Sequence, residues 1–229
     1  MTPQHLNQIA EWNPILGCSP ISIGCANCHN MRVAANVSTV ANLTSSGGRG
    51  AVWTGELRWN EAWFDYPEKL TAPRVIHVCS HGDLFHENAP VEWIDKVFDL
   101  MERNTRHVFQ VLTKRAARLA EYLNRRYRSH APSHLWFSVS SERQIEANER
   151  IPHLLLARAS VRYITCYPLL GPIDLRPFLA TGLIEYVVAG SEVARPMQPE
   201  WEADLRRACE EHSVPYGFGA LLEREFVQG

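Results

Sequence analysis

Short apolar runs recur along this chain with amphipathic stretches between them, and that alternation limits the fold more than any other feature. Val75–Cys79, His107–Leu112, Leu135–Ser140, Val161–Thr165, Ile184–Ala189 and Val214–Phe218 read as strands. Between them, Pro90–Arg103 sets Trp93, Val97, Leu100 and Met101 on one helical face. Lys114–Arg128 reads as a basic helix, and Glu142–Leu156 and Glu200–His212 are also helical. Strands that alternate with helices pair in parallel through right-handed crossovers. A brief strand at Ile9–Trp12 brings the total to six or seven βα units in 229 residues. That is too few for a closed eightfold barrel of usual size. The expected fold is therefore α/β, a partial (β/α)6–7 barrel with a mostly parallel sheet, in a single domain spanning 1–229. No internal repeat is visible.

The remaining segments are less regular. Residues 1–11 are polar and read as a short helix or an ordered arm. Met31–Leu43 has apolar positions near helical spacing, Ser45–Gly50 reads as a flexible loop, and Val52–Trp59 reads as a strand or small hairpin. Trp53, Trp59 and Trp63 cluster there, as packing residues or as a platform for a nucleobase.

The stretch Trp12–Asn30 (WNPILGCSPISIGCANCHN) holds Cys18, Cys25 and Cys28 in a C-x6-C-x2-C spacing. Glycines and prolines around them make it a loop folded about something. Three thiolates so close in sequence suit zinc or an iron–sulfur cluster. Zinc wants a fourth protein ligand, and His29 directly follows Cys28, where adjacent side chains rarely converge on one ion. Three cysteines with no clear fourth suggest a [4Fe–4S] cluster with one open iron. The plainer alternative is unpaired or disulfide-linked cysteines in a turn. The formal charge of −2 gives no global basic field. No apolar run is long enough to span a bilayer, and none follows Met1. A cytoplasmic setting is expected, where reduced thiols favour metal chemistry over disulfides.

In parallel α/β architectures function gathers at the carboxyl ends of strands. Those ends carry Ser80-His81-Gly82-Asp83, then Thr113-Lys114-Arg115, Ser141-Glu142, Cys166-Tyr167 and Gly190-Ser191-Glu192. Asp83 suits an ammonium or a helix cap. Lys114 and Arg115 suit a carboxylate or phosphate, or a solvated helix start. His81 and His86 flank Asp83, as metal ligands or, for His86, as a proton-transfer residue at the substrate. Cys79, Cys166 and Cys209 read as small core residues, with Cys166 the one nearest the mouth. Arg115, Arg118, Arg125, Arg126 and Arg128 form a basic helix face that meets phosphates or solvent.

Several segments have a shared pattern. They are Trp12-Asn13-Pro14 with Gly17-Cys18; Gly24-Cys25-Ala26-Asn27-Cys28; Asp83-Leu84-Phe85-His86-Glu87; Phe109 to Arg115; Ser138-Val139-Ser140 with Glu142; Glu149-Arg150-Ile151-Pro152; Pro168-Leu169-Leu170-Gly171-Pro172; and Ala194-Arg195-Pro196-Met197. On these the chain resembles a largely phage-borne family of three-Cys-motif proteins related to the radical-SAM superfamily. The resemblance implies a radical-SAM type of partial barrel. It implies that Cys18, Cys25 and Cys28 hold a [4Fe–4S] cluster beside S-adenosylmethionine (SAM). Ser80, Gly82 and Asp83 fall where related enzymes hold the SAM amino group, and Ser140, Glu142 and Glu192 belong to the same cofactor-binding set. His86, Lys114, Cys166 and Tyr167 are the expected catalytic side.

The chain departs from the family at His29, where relatives carry tyrosine, at Tyr167, where they carry glutamate, at Ala189–Glu192 and at Gly217–Ala220. The cluster ligands are kept, and the substrate side is rebuilt. The implied activity is a radical-SAM reaction through a 5′-deoxyadenosyl radical, fed by an external electron donor. Its implied target is a nucleobase side chain in phage DNA hypermodification, with isomerisation of a modified thymine as the first candidate, and the host cytoplasm as the setting. DNA polymer and modified nucleotide both stand as partners. The alternative is a non-catalytic iron–sulfur or zinc protein that binds DNA or a partner.

Overall fold

The computed structural model describes residues 9–37, 40–47 and 50–219. In chain order the strands are β1 (Ile9–Trp12), β2 (Ile15–Leu16), β3 (Thr44–Gly47), β4 (Gly50–Trp53), β5 (Arg58–Trp59), β6 (Val75–Val78), β7 (Val108–Thr113), β8 (Leu135–Ser140), β9 (Val161–Cys166), β10 (Tyr186–Ala189) and β11 (Tyr216–Phe218). The helices are α1 (His29–Ala34), α2 (Tyr66–Lys69), α3 (Val91–Arg103), α4 (Ala116–Arg126), α5 (Gln144–Leu156), α6 (Arg176–Leu179) and α7 (Pro199–Glu211). Among the described residues no helix is long and apolar enough to cross a membrane.

Seven strands form one sheet in the order β1-β6-β7-β8-β9-β10-β11, and every neighbouring pair is parallel. Apart from the long excursion between β1 and β6, each strand lies beside the one before it, so the sheet grows in one direction. The sheet is strongly curled. Gln110 of β7 and Tyr186 of β10 are three strands apart, roughly 14 Å in a flat sheet. Yet Gln110 Nε2 donates to Tyr186 Oη at 3.3 Å. The architecture is a partial (β/α) barrel, as the alternation of strands and helices predicts.

The two faces of the sheet differ. On the convex side Ile76, Val78, Phe109, Val111, Phe137, Val139, Ile164 and Val187 are buried in one core with residues of the helices. Phe98 of α3 stacks on Phe137 at 6.1 Å, and Tyr122 of α4 closes on Phe98 at 4.7 Å. On the concave side the alternate positions, including Gln110, Leu112, Ser140, Tyr163 and Thr165, line a cavity. Parallel sheets covered on both faces read as continuous apolar runs. The polar residues inside these strands mark a sheet covered on one face only.

The excursion between β1 and β6 differs most from the sequence reading. The helix expected over Met31–Leu43 is only one and a half turns of α1, followed by turns and a 3₁₀ segment at Ala41–Leu43. The sequence after Ala34 is rich in asparagine and β-branched residues, which weaken helix. Within the stretch expected as a flexible loop, Ser45–Gly47 belong to β3 and Gly50 to β4, and the two strands pair with Ser45 opposite Val52. Val52–Trp59 is divided between two sheets, since β5 pairs with β2. Trp53 is buried with Leu16, Met31, Ala34, Val40 and Leu43 in a second, smaller cluster. Trp59 packs on Phe64 and Trp93, and Trp63 on Tyr66. The expectation for the arm before Ile9 lies outside the described residues.

Phe137 is fully buried between sheet and helices, so Phe137→Ala should cost roughly 3–5 kcal/mol. Ile145→Ala, at an exposed position of α5, should stay within about 0.5 kcal/mol of the parent. Urea unfolding followed by circular dichroism measures both.

Candidate active site at the mouth of the partial barrel

The cysteine loop leaves β1 and is clamped at its base. Cys79 N–H donates to Trp12 O at 2.7 Å, and Gly17 N–H to His81 O at 3.0 Å. Asn13 is buried and its Oδ1 accepts from His81 N–H at 2.7 Å and Ser80 Oγ at 3.2 Å. Gly17 has φ +96°, and a Cβ there would stand 2.1 Å from Glu56 O. Gly82 lies alongside it, with its missing Cβ 2.9 Å from the carbonyls of Ile15 and Gly17. Both positions need glycine because backbone meets backbone.

Past this base, Cys25 and Cys28 lie on and just after a 3₁₀ turn, Ile23–Asn27. All three cysteines of the motif are free, half-buried and part of the wall of one cavity of about 440 Å³. Among the described residues no set of three or more His, Cys, Asp and Glu side chains is drawn tightly enough to hold an ion directly. The donor chemistry nonetheless fits a thiolate-bound group: three unpaired thiols from one pinned loop facing one space. Burial, and then Asp83, push the Cys18 thiol up to about 12, against the opposing pull of Arg115. A bound cation would displace its proton.

Glu142 supports the tip of the loop. Its side chain is fully buried, and Oε1 accepts from Ser22 Oγ at 2.8 Å and meets Lys114 Nζ at 3.0 Å. Arg150 Nη1 reaches Oε2 at 3.0 Å. Gly24 rests against this carboxylate so closely that a Cβ would stand 2.3 Å from Oε1. Burial alone would raise the carboxyl, but Lys114 and Arg150, helped by Ser22, hold it below its ordinary 4.5. Further out, Asn27 donates to Glu192 Oε1 at 2.9 Å, Arg195 pairs with Glu192, and Arg195 Nη1 donates to Ile23 O at 3.0 Å.

Arg115 holds the other flank. Its guanidinium reaches Asp83 Oδ2 at 3.0 Å, Glu87 Oε2 at 2.8 Å, Ser19 Oγ at 2.9 Å and Cys18 Sγ at 3.5 Å. Asp83 is correspondingly occupied: Oδ1 accepts from Thr113 Oγ1 at 2.7 Å and Phe85 N–H at 2.9 Å.

Of the residues expected to bind or react, Ser80, Gly82, Asp83, Lys114, Ser140 and Tyr167 line the cavity together with the three cysteines. Glu142, Glu192, His86 and Cys166 do not. Glu142 and Glu192 brace the cysteine loop from outside. His86 is 1% exposed; Nδ1 accepts Asn88 N–H at 3.1 Å, which leaves Nε2–H for Ser19 Oγ at 2.8 Å. Burial and Arg115 lower its pKa, and its ring braces Ser19 from behind the cavity wall. Cys166 is on the convex side of β9, fully buried in the helix-facing core. The basic face expected on α4 is largely spent within the protein. Arg118 binds the carbonyls of His86 and Ala89, and Arg126 pairs with Glu102 and Asp99.

Sequence reasoning missed Asn13 as a latch and the concave row Gln110, Tyr163 and Thr165. The signal was present as polar residues at every second position of strands flanked by apolar ones.

Glu142→Ala leaves Lys114 and Arg150 without their shared anion and should cost about 3–5 kcal/mol. A carboxyl lowered on folding contributes fully above its unfolded value and loses that contribution as pH falls through its folded value. The stability gap between the parent and Glu142→Gln should therefore narrow from neutral pH to about pH 3, below the unfolded carboxyl range. Urea unfolding at the two pH values checks it.

Residues 7–224 match the model of a family described as "Protein of unknown function (DUF5131)". No curated protein and no solved structure matches the chain. The family match covers nearly the whole sequence, and this chain belongs to the DUF5131 family.

Proposed function

We propose that this protein is a radical-SAM enzyme acting on an organic substrate held inside the partial barrel. One observation carries the reading: three free thiols on one pinned loop share a cavity with Asp83, Lys114 and Arg115 at the carboxyl ends of a curled parallel sheet. Cys18, Cys25 and Cys28 are the residues that would hold a [4Fe–4S] cluster. When bound, and fed by an external electron donor, the cluster would supply the reductive cleavage of SAM that yields methionine and a hydrogen-abstracting 5′-deoxyadenosyl radical.

The chain's own contribution is position and exclusion of water. Arg115 ties the Cys18 side of the loop to Asp83 and Glu87, while Glu142 ties the Cys25 side to Lys114 and Arg150. Lys114 and Ser80 face the cavity at the end where a zwitterionic cofactor needs polar partners. Asp83 serves chiefly to orient Arg115 and Thr113, since its oxygens already accept from them and from the backbone. Tyr167 forms part of the mouth, packed so tightly on Gly190 that a Cβ there would meet its ring at 2.1 Å.

For substrate, the resemblance to phage three-Cys-motif proteins favours a nucleobase side chain in DNA hypermodification, such as a modified thymine undergoing isomerisation. A base in duplex DNA would have to be flipped or presented on a single strand.

Anaerobically reconstituted protein should be brown, and adding SAM should change its EPR spectrum. Alanine at Cys18, Cys25 or Cys28 should abolish the cluster absorbance, while Cys209→Ala, in the core, should leave iron content unchanged. Incubation with SAM and a strong reductant should release 5′-deoxyadenosine. A colourless, zinc-replete protein would instead support a non-catalytic DNA- or partner-binding module. A full cluster in Cys25→Ala would remove the ligand assignment.

A further inference from the structure

Arg115 spends its whole donor set inside the protein. A guanidinium carries five N–H donors in a fixed planar fork. Nε donates to Glu87 Oε2 at 2.8 Å. Nη2 donates to Ser19 O at 3.1 Å and to Ser19 Oγ at 2.9 Å. Nη1 donates to Asp83 Oδ2 at 3.0 Å and to Cys18 Sγ at 3.5 Å. Each of the five N–H groups therefore has an acceptor. The expectation that Arg115 clamps a carboxylate or phosphate would require one of these bonds to break.

The contact with sulfur is the one that bears on chemistry. Cys18 belongs to the three-cysteine loop, and the guanidinium brings a positive charge to its sulfur together with an N–H. The Arg115 side chain is 9% exposed and that of Asp83 6%, so little solvent screens either charge. At Cys25 the contact is a neutral one. Ser22 Oγ lies 3.8 Å from its sulfur, and the hydroxyl proton goes to Glu142 Oε1 at 2.8 Å.

We propose that Arg115 and Asp83 together set the reduction potential of the group held at Cys18, Arg115 raising it and Asp83 lowering it. The proposal rests on the reading of the cysteine loop as the seat of a [4Fe–4S] cluster. Reduction there takes one electron from the external donor and leaves the cluster one charge more negative, with no bond made or broken. An N–H donor and a positive charge at a ligating sulfur favour that reduced form. A carboxylate behind them disfavours it. Asp83 also holds the guanidinium against the sulfur, so the two opposed charges act as one unit. An ammonium, with three donors and no fork, cannot hold Asp83, Glu87, Ser19 and the sulfur at once.

Potentials are read by EPR on the full reconstituted chain, without SAM, during stepwise reduction with dithionite and mediator dyes. Arg115→Gln removes the charge and the fork. It should lower the potential by at least about 59 mV, tenfold in the one-electron equilibrium. Asp83→Asn keeps the shape of the side chain and should raise the potential. The sign in Arg115→Gln separates tuning from a merely structural role. A loosened loop admits water, which favours the more negative reduced form and moves the potential up. A further measurement needs no variant to fold. In the parent grown with isotope-labelled arginine, pulsed EPR of the reduced cluster should show a weak coupling to the labelled nitrogen.

An unchanged or raised potential in Arg115→Gln, a lowered one in Asp83→Asn, or no arginine coupling in the parent would each overturn the proposal. The EPR change on adding SAM is read on separate portions of the same parent preparation. A brown, SAM-responsive protein whose potential is indifferent to both substitutions loses this proposal and keeps the radical-SAM reading. A colourless parent loses both.

Discussion

A single buried carboxylate holds together the parts of this molecule that differ most in character. Glu142 lies where β8 ends, and it touches the cysteine loop through Ser22 and Gly24, the end of β7 through Lys114, and α5 through Arg150. An isolated charge in that position would be prohibitive, but two cations and a hydroxyl offset its desolvation. Such a cluster is a weak source of net stability. Its value is geometric, because none of its members can move without exposing another to an unbalanced field.

The second governing feature is the curl of the sheet. It turns a face that would otherwise need helices into the wall of a cavity, and it brings β7 within hydrogen-bonding reach of β10. The convex face remains an ordinary helix-covered core, with Phe98, Phe137 and Tyr122 at its centre. Arg115 on one flank of the cysteine loop and Glu142 on the other then fix the loop across the open end of the curve.

Much of this was legible in the sequence. The alternation of apolar runs with helical stretches specifies a parallel sheet, and the C-x6-C-x2-C loop and the polar strand ends foretell which residues share a cavity. The segment 29–59 shows no clear period in sequence, because its β3–β4 hairpin and β5 are held by strand pairing and by the small Trp53 cluster. Glu142, Glu192 and His86 all follow strand ends, which in sequence alone points them at the cavity. A position after a strand end does not say whether a side chain turns inward or braces the neighbouring loop. Cys166 shows the same limit at a single residue. It ends β9, but the pleat sends its thiol to the convex side while Thr165 faces the cavity.

The pleat also separates two kinds of change that many folds confound. Along β7 the helix-facing residues are Phe109 and Val111, and the cavity-facing ones are Gln110 and Leu112. A substitution in the second set removes no side chain from the first. The inner lining can therefore drift toward new ligands while the scaffold keeps its folding free energy, and the partial barrel can diversify without first acquiring a reserve of stability.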